Sequence, residues 1–426
     1  MNYIIVRLKD RIHRNKGVLR NFSYLSLLQV FNLFLPLITY PYLIRVLGKE
    51  IYGIVIFAQA IVGYLMILVG FGFNISATKD VSLHRNNRDK LSEIVSSVFL
   101  IKGFLLILAI LILSILVMVI PQSNGYEMLF FLTLWMCLYD VIFPIWYFQG
   151  IEEMKYITYI TLISRLTFLF LIFVFIHSPK DYLYLPIING FGAILAGVSS
   201  LVIVFKKHKI KFKFVSFSCL KSYFIDTFPF FVSNISTTLY MTTSKVVLGA
   251  FVGMKEVAYY DLAEKLSTVL KTPIQIIGQA IYPSIAKNRD LVFVRKSFNY
   301  TLSIAILIMI VGIGFSGYAV KLIGGIEMIY SVPIFQILLI SIIPVTISLF
   351  FANLVLVSWG FNKDFLRLRL YTNGFYMCSI LILYLVNYLN LYSLAILALI
   401  IEFFAAFLAF FFAKKRNVNF CLCPII

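Results

Sequence analysis

Polar and charged side chains stand inside long apolar runs of this chain, and their spacing is the first chemical signal. Asp261, Glu264, Lys265, Thr268, Lys271, Thr272, Gln275 and Gln279 recur every three or four positions. On a helix they occupy an arc of roughly 120°, while Leu262, Val269, Leu270, Ile276 and Ile277 cover the rest. A neighbouring run carries Asp226, Asn234, Ser244 and Lys245, and the first run carries Gln29, Asn32, Thr39 and Tyr40 before ending in Arg45. Lys102, Asp140 and Arg165 are single charges in three further runs. A charge at mid-bilayer costs about 2.5–3.5 kcal/mol on insertion scales, so such residues face a wet cavity or a partner. Asp140 is at a depth that permits pairing with Arg165 or with Lys102, a structural role. For the amides, hydrogen bonding between helices competes with cavity lining. For Arg45 and Lys245, snorkelling to headgroups competes. The 261–279 helix has a third alternative, lying flat in the membrane interface.

The elements that would hold these residues follow from composition. Of 426 residues, 61% are apolar and 13% charged, with 42 Phe, 26 Tyr and a mean hydropathy of +0.96. A soluble protein carries roughly twice that charged fraction, so soluble enzymes, disulfide scaffolds and disordered regulators are excluded. The net charge of +19 falls in short clusters between apolar runs rather than on one face, which argues for membrane topology and against nucleic acid. Cys137, Cys219, Cys378, Cys421 and Cys423 lack metal-site spacing, and the four His lie far apart. No GxxxxGK[ST] is present, and no Ser-His-Asp set can be assembled from the loops, so neither ATP hydrolysis nor a cofactor is expected.

A spanning helix needs about 20 apolar residues. Twelve runs qualify: 21–46, 51–73, 93–120, 126–149, 157–177, 182–205, 223–250, 256–285, 297–320, 330–359, 369–388 and 391–413. The fold class is therefore all-α and polytopic, with about 12 transmembrane helices. Lys and Arg concentrate in alternate connections, which places both termini in the cytoplasm. The most basic connection, 206–222, divides the runs into two sets of six. The expected organisation is a basic N-terminus (1–20), a six-helix bundle (21–205), the linker (206–222), a second bundle (223–413) and a cytoplasmic tail (414–426), with a central cavity between the bundles. A faint echo supports the division. Arg45-Val-Leu-Gly48 followed by Lys49-Glu50 matches Lys245-Val-Val-Leu-Gly249 followed by Lys255-Glu256. Equal six-helix units would be related by an axis along the membrane normal, with a site between them.

Two stretches carry a resemblance. One is Pro41-Tyr42-Leu43-Ile44-Arg45-Val46-Leu47-Gly48 with Tyr52-Gly53 and Gln59. The other is Gly249 to Ala263, including Ala258-Tyr259-Tyr260-Asp261-Leu262-Ala263, with Pro273 and Tyr282-Pro283. They resemble bacterial O-antigen (Wzx-type) polysaccharide flippases of the multidrug/oligosaccharidyl-lipid/polysaccharide exporter superfamily. The resemblance implies a non-enzymatic transporter of the bacterial inner membrane. Its job would be to move an undecaprenyl-diphosphate-linked glycan, an O-antigen or related repeat unit, from the cytoplasmic to the periplasmic leaflet. Membrane lipids are the other expected partner, together with a polysaccharide polymerase and chain-length regulator. Lumen cations hold the diphosphate or acidic sugars in such proteins, and Arg45, Lys245 and Lys271 are the candidates here, with Gln29, Asn32, Asn234 and Gln275 as polar lining. Rocking of one bundle against the other would give alternating access. Without an ATPase motif an ion gradient is the expected drive, with Asp261, Glu264 or Asp140 coupling it.

Two rivals make different demands. A small-molecule exporter of the same superfamily predicts an acidic cavity, whereas the charges within the spans lean cationic. An O-antigen polymerase or ligase predicts a large outer loop, and every outward connection here is short.

Overall fold

The computed structural model describes residues 16–416 and Val418. The basic stretch 1–15, and Cys421 and Cys423 of the tail, lie outside the described residues. Among the described residues every regular element is helical: α1 (Lys16–Gly70), α2 (Phe73–Leu83), α3 (Arg88–Val119), α4 (Glu127–Thr133), α5 (Trp135–Ile142), α6 (Ile145–Gly150), α7 (Met154–Phe175), α8 (Tyr184–Val202), α9 (Phe217–Phe251), α10 (Met254–Asn288), α11 (Leu291–Gly314), α12 (Ser316–Gly324), α13 (Ser331–Ile340), α14 (Ile342–Ser348), α15 (Asn362–Leu385) and α16 (Leu391–Lys415).

Each of the twelve apolar runs coincides with helix. Eight helical segments among the described residues are long and apolar enough to cross a membrane by length and composition. One of these windows, Leu27–Leu83, takes in two runs, because α1 continues through Pro36 and Pro41 and is broken only at Gly48 (φ 73°, ψ 164°). That backbone region favours glycine, which has no Cβ to clash. The remaining runs form α9, α10 and α15, helices of 35, 35 and 24 residues that carry more polar side chains. The run 126–149 is broken at Pro144, between α5 and α6, where proline supplies no N–H to continue the ladder. Helix starts are set by polar caps: Asn87 accepts from the Lys90 amide at 3.0 Å, Asp290 from Val292 at 2.8 Å and Asn390 from Ser393 at 2.9 Å. The chain is a polytopic membrane protein.

The chain divides into two compact units, 1–47 with 58–235 and 48–57 with 236–426. In the first unit, helices approach through small residues. A Cβ on Gly197 would meet Ile142 Cδ1 at 2.2 Å, and one on Gly192 would meet Ser164 Oγ at 2.8 Å. Close backbone approach of this kind replaces the hydrophobic drive that lipid removes. The turn at Phe71–Gly72 joins α1 to α2. Its Phe71 ring stacks on Phe224 and Phe231 at 4.3 and 4.6 Å. The second unit is packed around Phe298, Phe350, Phe351, Val355, Leu356 and Phe412, all buried. Beside this apolar core runs the polar flank of α10.

Candidate functional site

The second unit contains a buried charge network at the Met254 end of α10. Asp261 is 1% exposed, and its carboxylate accepts from Lys245 at 2.9 Å and from Lys265 at 2.6 Å. The Tyr52 hydroxyl donates to Asp261 Oδ2 at 2.8 Å and accepts from Lys265 Nζ at 3.0 Å. Lys245 also reaches Glu264 at 2.6 Å. Two cations and two carboxylates thus balance. The network spans α9, α10 and the 48–57 segment, so it ties three pieces of chain together. Such a cluster is stable only when every member keeps its partners.

Further along the same flank the polar residues line two cavities. The smaller, about 140 Å³, is bordered by Tyr260, Glu264, Lys271, Gln275, Ser341 and Glu402. Lys271 Nζ donates to Ser341 Oγ at 2.7 Å, and Ser341 Oγ donates on to the Leu338 carbonyl. The larger, about 600 Å³, is bordered by Gln275, Gln279, Tyr282, Asn353, Arg369, Asn373 and Glu402, among others. Gln275, Val345 and Glu402 border both, so the two spaces adjoin. The Arg369 guanidinium lies over the Phe365 ring at 5.2 Å, with its buried Nε lacking a hydrogen-bond partner among the described residues. The lining mixes a guanidinium, an ammonium, a carboxylate and several amides, which suits a ligand carrying both hydroxyl and anionic groups.

Lys245, Asp261 and Glu264 meet in the network, and Glu264, Lys271 and Gln275 meet in the smaller cavity. In the first unit Lys102, 1% exposed, takes Asp140: its Nζ reaches Oδ2 at 2.7 Å and the Asp140 carbonyl at 2.9 Å. Arg165 makes no ion pair within 4.0 Å among the described residues, and borders a separate cavity of about 260 Å³ with Trp135, Tyr139 and Asn189. Gln29 and Arg45 are exposed, Asn32 and Asn234 half-buried, and none of the four borders these three cavities.

The sequence reading passed over Arg369, Glu402, Asn353, Asn373 and Ser341 as site residues. Glu402 was visible as a carboxylate in the middle of an apolar run, and Arg369 as a cation at the edge of another. Asn353, Asn373 and Ser341 carried no comparable signal, because single polar uncharged residues are common in spans.

The family described as polysaccharide biosynthesis protein matches residues 18–289. A protein of Escherichia coli (strain K12) named "Putative O-antigen transporter" is 29% identical over 360 residues, covering 82% of this chain and 86% of its own. A protein of the same name from Shigella dysenteriae is 28% identical over 294 residues, covering 67% and 72%. Among solved structures, the lipid II flippase MurJ in an inward closed conformation superposes with a TM-score of 0.72 at 16% identity, over 92% of this chain and 87% of MurJ. An inward-facing multidrug resistance transporter of the MATE family and MOP superfamily gives 0.67 at 15% identity, over 92% and 96%. At such identities these two likenesses establish a shared fold alone.

Proposed function

The chain belongs to the polysaccharide biosynthesis protein family, and from that premise we propose that it is a flippase for a lipid-linked oligosaccharide. The cargo is an undecaprenyl-diphosphate-linked O-antigen or related repeat unit. It moves from the cytoplasmic to the periplasmic leaflet of a bacterial inner membrane, with both termini of the protein in the cytoplasm. The observation that carries this reading is the pair of adjoining polar cavities along α10, beside an apolar core of Phe298, Phe350, Phe351 and Phe412. A sugar head cannot cross hydrocarbon without replacing its lost hydrogen bonds, whereas a polyprenyl tail stays in lipid throughout. Amides at Gln275, Gln279, Asn353 and Asn373 replace water around sugar hydroxyls. Lys271 and Arg369 are the cations placed to receive a phosphate or acidic sugar, as a point charge and as a fork respectively. Lys245 serves instead to hold α9 to α10, because its charge is spent on Asp261 and Glu264.

The cycle is alternating access, coupled to an ion gradient. Glu402, which borders both cavities, joins Glu264 as a carboxylate placed to sense an ion while cargo is bound.

The test is reconstitution. Purified protein in vesicles, given a fluorescent undecaprenyl-diphosphate oligosaccharide, should render the outer-leaflet fraction inaccessible to a glycan-cleaving enzyme, faster when a proton or sodium gradient is imposed. In cells, deletion of the gene should leave single lipid-linked repeats confined to the cytoplasmic leaflet. Single repeats exposed on the periplasmic side would identify a polymerase defect instead and overturn the proposal.

A further inference from the structure

The first unit holds a cation that its own carboxylate does not serve. Arg165 lies on α7, about 16 Å along the helix axis from Met154 at 1.5 Å per residue, and so near the middle of that span. The acid at matching depth, Asp140, is taken by Lys102 at 2.7 Å. No acidic residue borders the cavity of about 260 Å³ that Arg165 enters. A second donor nearby is unsatisfied. Trp135, on the wall of this cavity, has a buried indole N–H with no hydrogen-bond partner among the described residues. Of the other polar groups there, Ser164 Oγ donates to the Gly192 carbonyl at 2.8 Å, Asn189 Nδ2 donates to the Leu185 carbonyl at 2.9 Å, and Tyr139 and Thr161 are hydrogen-bonded to each other.

A guanidinium and an indole N–H left open, at a depth where an uncompensated charge is costly, together ask for an anion. The surroundings say how it arrives. Ile163, Leu166 and Phe170 of the same helix are 55, 50 and 67% exposed and form a lipid-facing surface beside Arg165. Met66, Met136 and Phe168 give the cavity apolar walls. An anion attached to a long hydrocarbon chain matches both features, with its charge on Arg165 and its tail along α7. We infer that the Arg165–Trp135 cavity is a binding site for the phosphate group of a lipid. The site goes beyond the transport reading, since the phosphate can be the diphosphate of a polyprenyl carrier or the phosphodiester of a bilayer lipid.

Full-length protein in a neutral detergent distinguishes the sources. Binding would be followed by thermal unfolding and by native mass spectrometry with undecaprenyl diphosphate, phosphatidylglycerol or inorganic pyrophosphate as probes. A lipid-borne phosphate should raise the melting temperature of the wild type. Arg165→Gln should weaken that binding about tenfold or more, the loss expected of a charge-assisted hydrogen bond. Arg165→Lys should keep part of it, and Trp135→Phe should weaken it less than Arg165→Gln, each with an unchanged melting temperature in the absence of lipid. Response to undecaprenyl diphosphate alone assigns the site to a polyprenyl carrier, and equal response to phosphatidylglycerol assigns it to bilayer lipid. If folded Arg165→Gln and Trp135→Phe proteins bind both lipids like the wild type, or if tail-free pyrophosphate binds as well as either lipid, the inference fails. The reconstituted flipping assay is scored separately, so loss of this site and loss of the transport reading are distinguishable.

Discussion

Tyr52 and Asp261 stand 209 positions apart in the chain, and the tyrosine hydroxyl donates to the aspartate at 2.8 Å. This contact joins the two stretches that carry the family resemblance, Tyr52-Gly53 and Tyr260-Asp261. The segment 48–57 belongs to the second unit, and its side chains dock it there. Glu50 pairs with Lys255 at 2.9 Å, and Gly53 lies so close to α10 that a Cβ would fall 1.8 Å from the Met254 carbonyl oxygen. The Lys255 ammonium holds the exposed Glu50 carboxyl below its ordinary pKa. The echoed Lys-Glu pairs therefore meet, with the glutamate of one copy on the lysine of the other.

Removing one member of the network should cost more than removing a neutral hydrogen bond. Asp261→Asn removes the carboxylate that Lys245 and Lys265 share and leaves Glu264 alone against two cations, and should destabilise by about 3–5 kcal/mol. Tyr52→Phe removes the hydroxyl's two charge-assisted bonds, to Asp261 and from Lys265, and should cost at least about 1.5–3 kcal/mol. Pairing Asp261→Asn with Lys265→Met should recover part of the loss, because fewer cations then stay buried without a carboxylate. Denaturation of detergent-solubilised variants measures all three. Equal stability of Asp261→Asn and wild type would show that the network carries no structural weight.

Packing at Gly53 gives a second test. Gly53→Ala must push α10 away from the 48–57 segment, so it should exceed the usual overpacking cost of about 1–3 kcal/mol. A Cβ at Gly103 in α3 meets nothing within 4 Å. There, alanine should be neutral or stabilising by up to about 1 kcal/mol, since it improves helix propensity. Similar melting temperatures for the two variants would contradict the close approach at Met254.

Helix positions are legible because continuous apolar length is a local signal. Partnership is not. Charge content alone left Asp140 open to Arg165 or Lys102, and only three-dimensional proximity gives it to Lys102. Lys245 reads as a lumen cation or a snorkelling one, whereas Asp261 and Glu264 pair with it. The placement of 48–57 in the second unit depends on contacts some 200 positions away, as in Tyr52 with Asp261, which periodicity does not encode. Arg369 opens the apolar run 369–388, where a cation reads as a helix-end charge. Glu402 stands out as a carboxylate in an apolar run, but its place between two cavities depends on contacts from other helices.

The basic connection should respond to acid through His208. Its Nδ1 is 3.1 Å from the Tyr147 hydroxyl and its Nε2 is 3.3 Å from Glu153. Burial depresses the imidazole below its ordinary value of 6.5; Glu153 opposes the shift, and Lys207 and Lys155 reinforce it. The folded protein thus favours the neutral ring. For a depressed base, the stabilising contribution is in place above the unfolded pKa and is lost as pH falls through the folded one. Wild-type protein should lose melting temperature between pH 6.5 and 5 more steeply than His208→Gln. Parallel slopes would remove His208 from the acid response.

The cavities along α10 must be wet if a sugar head is to use them, and thiol chemistry reads wetness directly. Methanethiosulfonate reagents react with thiolate, which forms where water reaches and is suppressed in hydrocarbon. In a background with Cys137, Cys219, Cys378, Cys421 and Cys423 replaced by Ala, Gln279→Cys should be modified rapidly by a charged, membrane-impermeant reagent. Gln279 borders the 600 Å³ cavity, whereas Ile276, on the same helix and 45% exposed, does not. Ile276→Cys should react at least tenfold more slowly. Added undecaprenyl-diphosphate oligosaccharide should protect Gln279→Cys and leave Ile276→Cys unchanged. Equal rates at the two positions would mean that the polar flank of α10 is no more hydrated than its apolar side, and the cavity would then be no passage for a sugar.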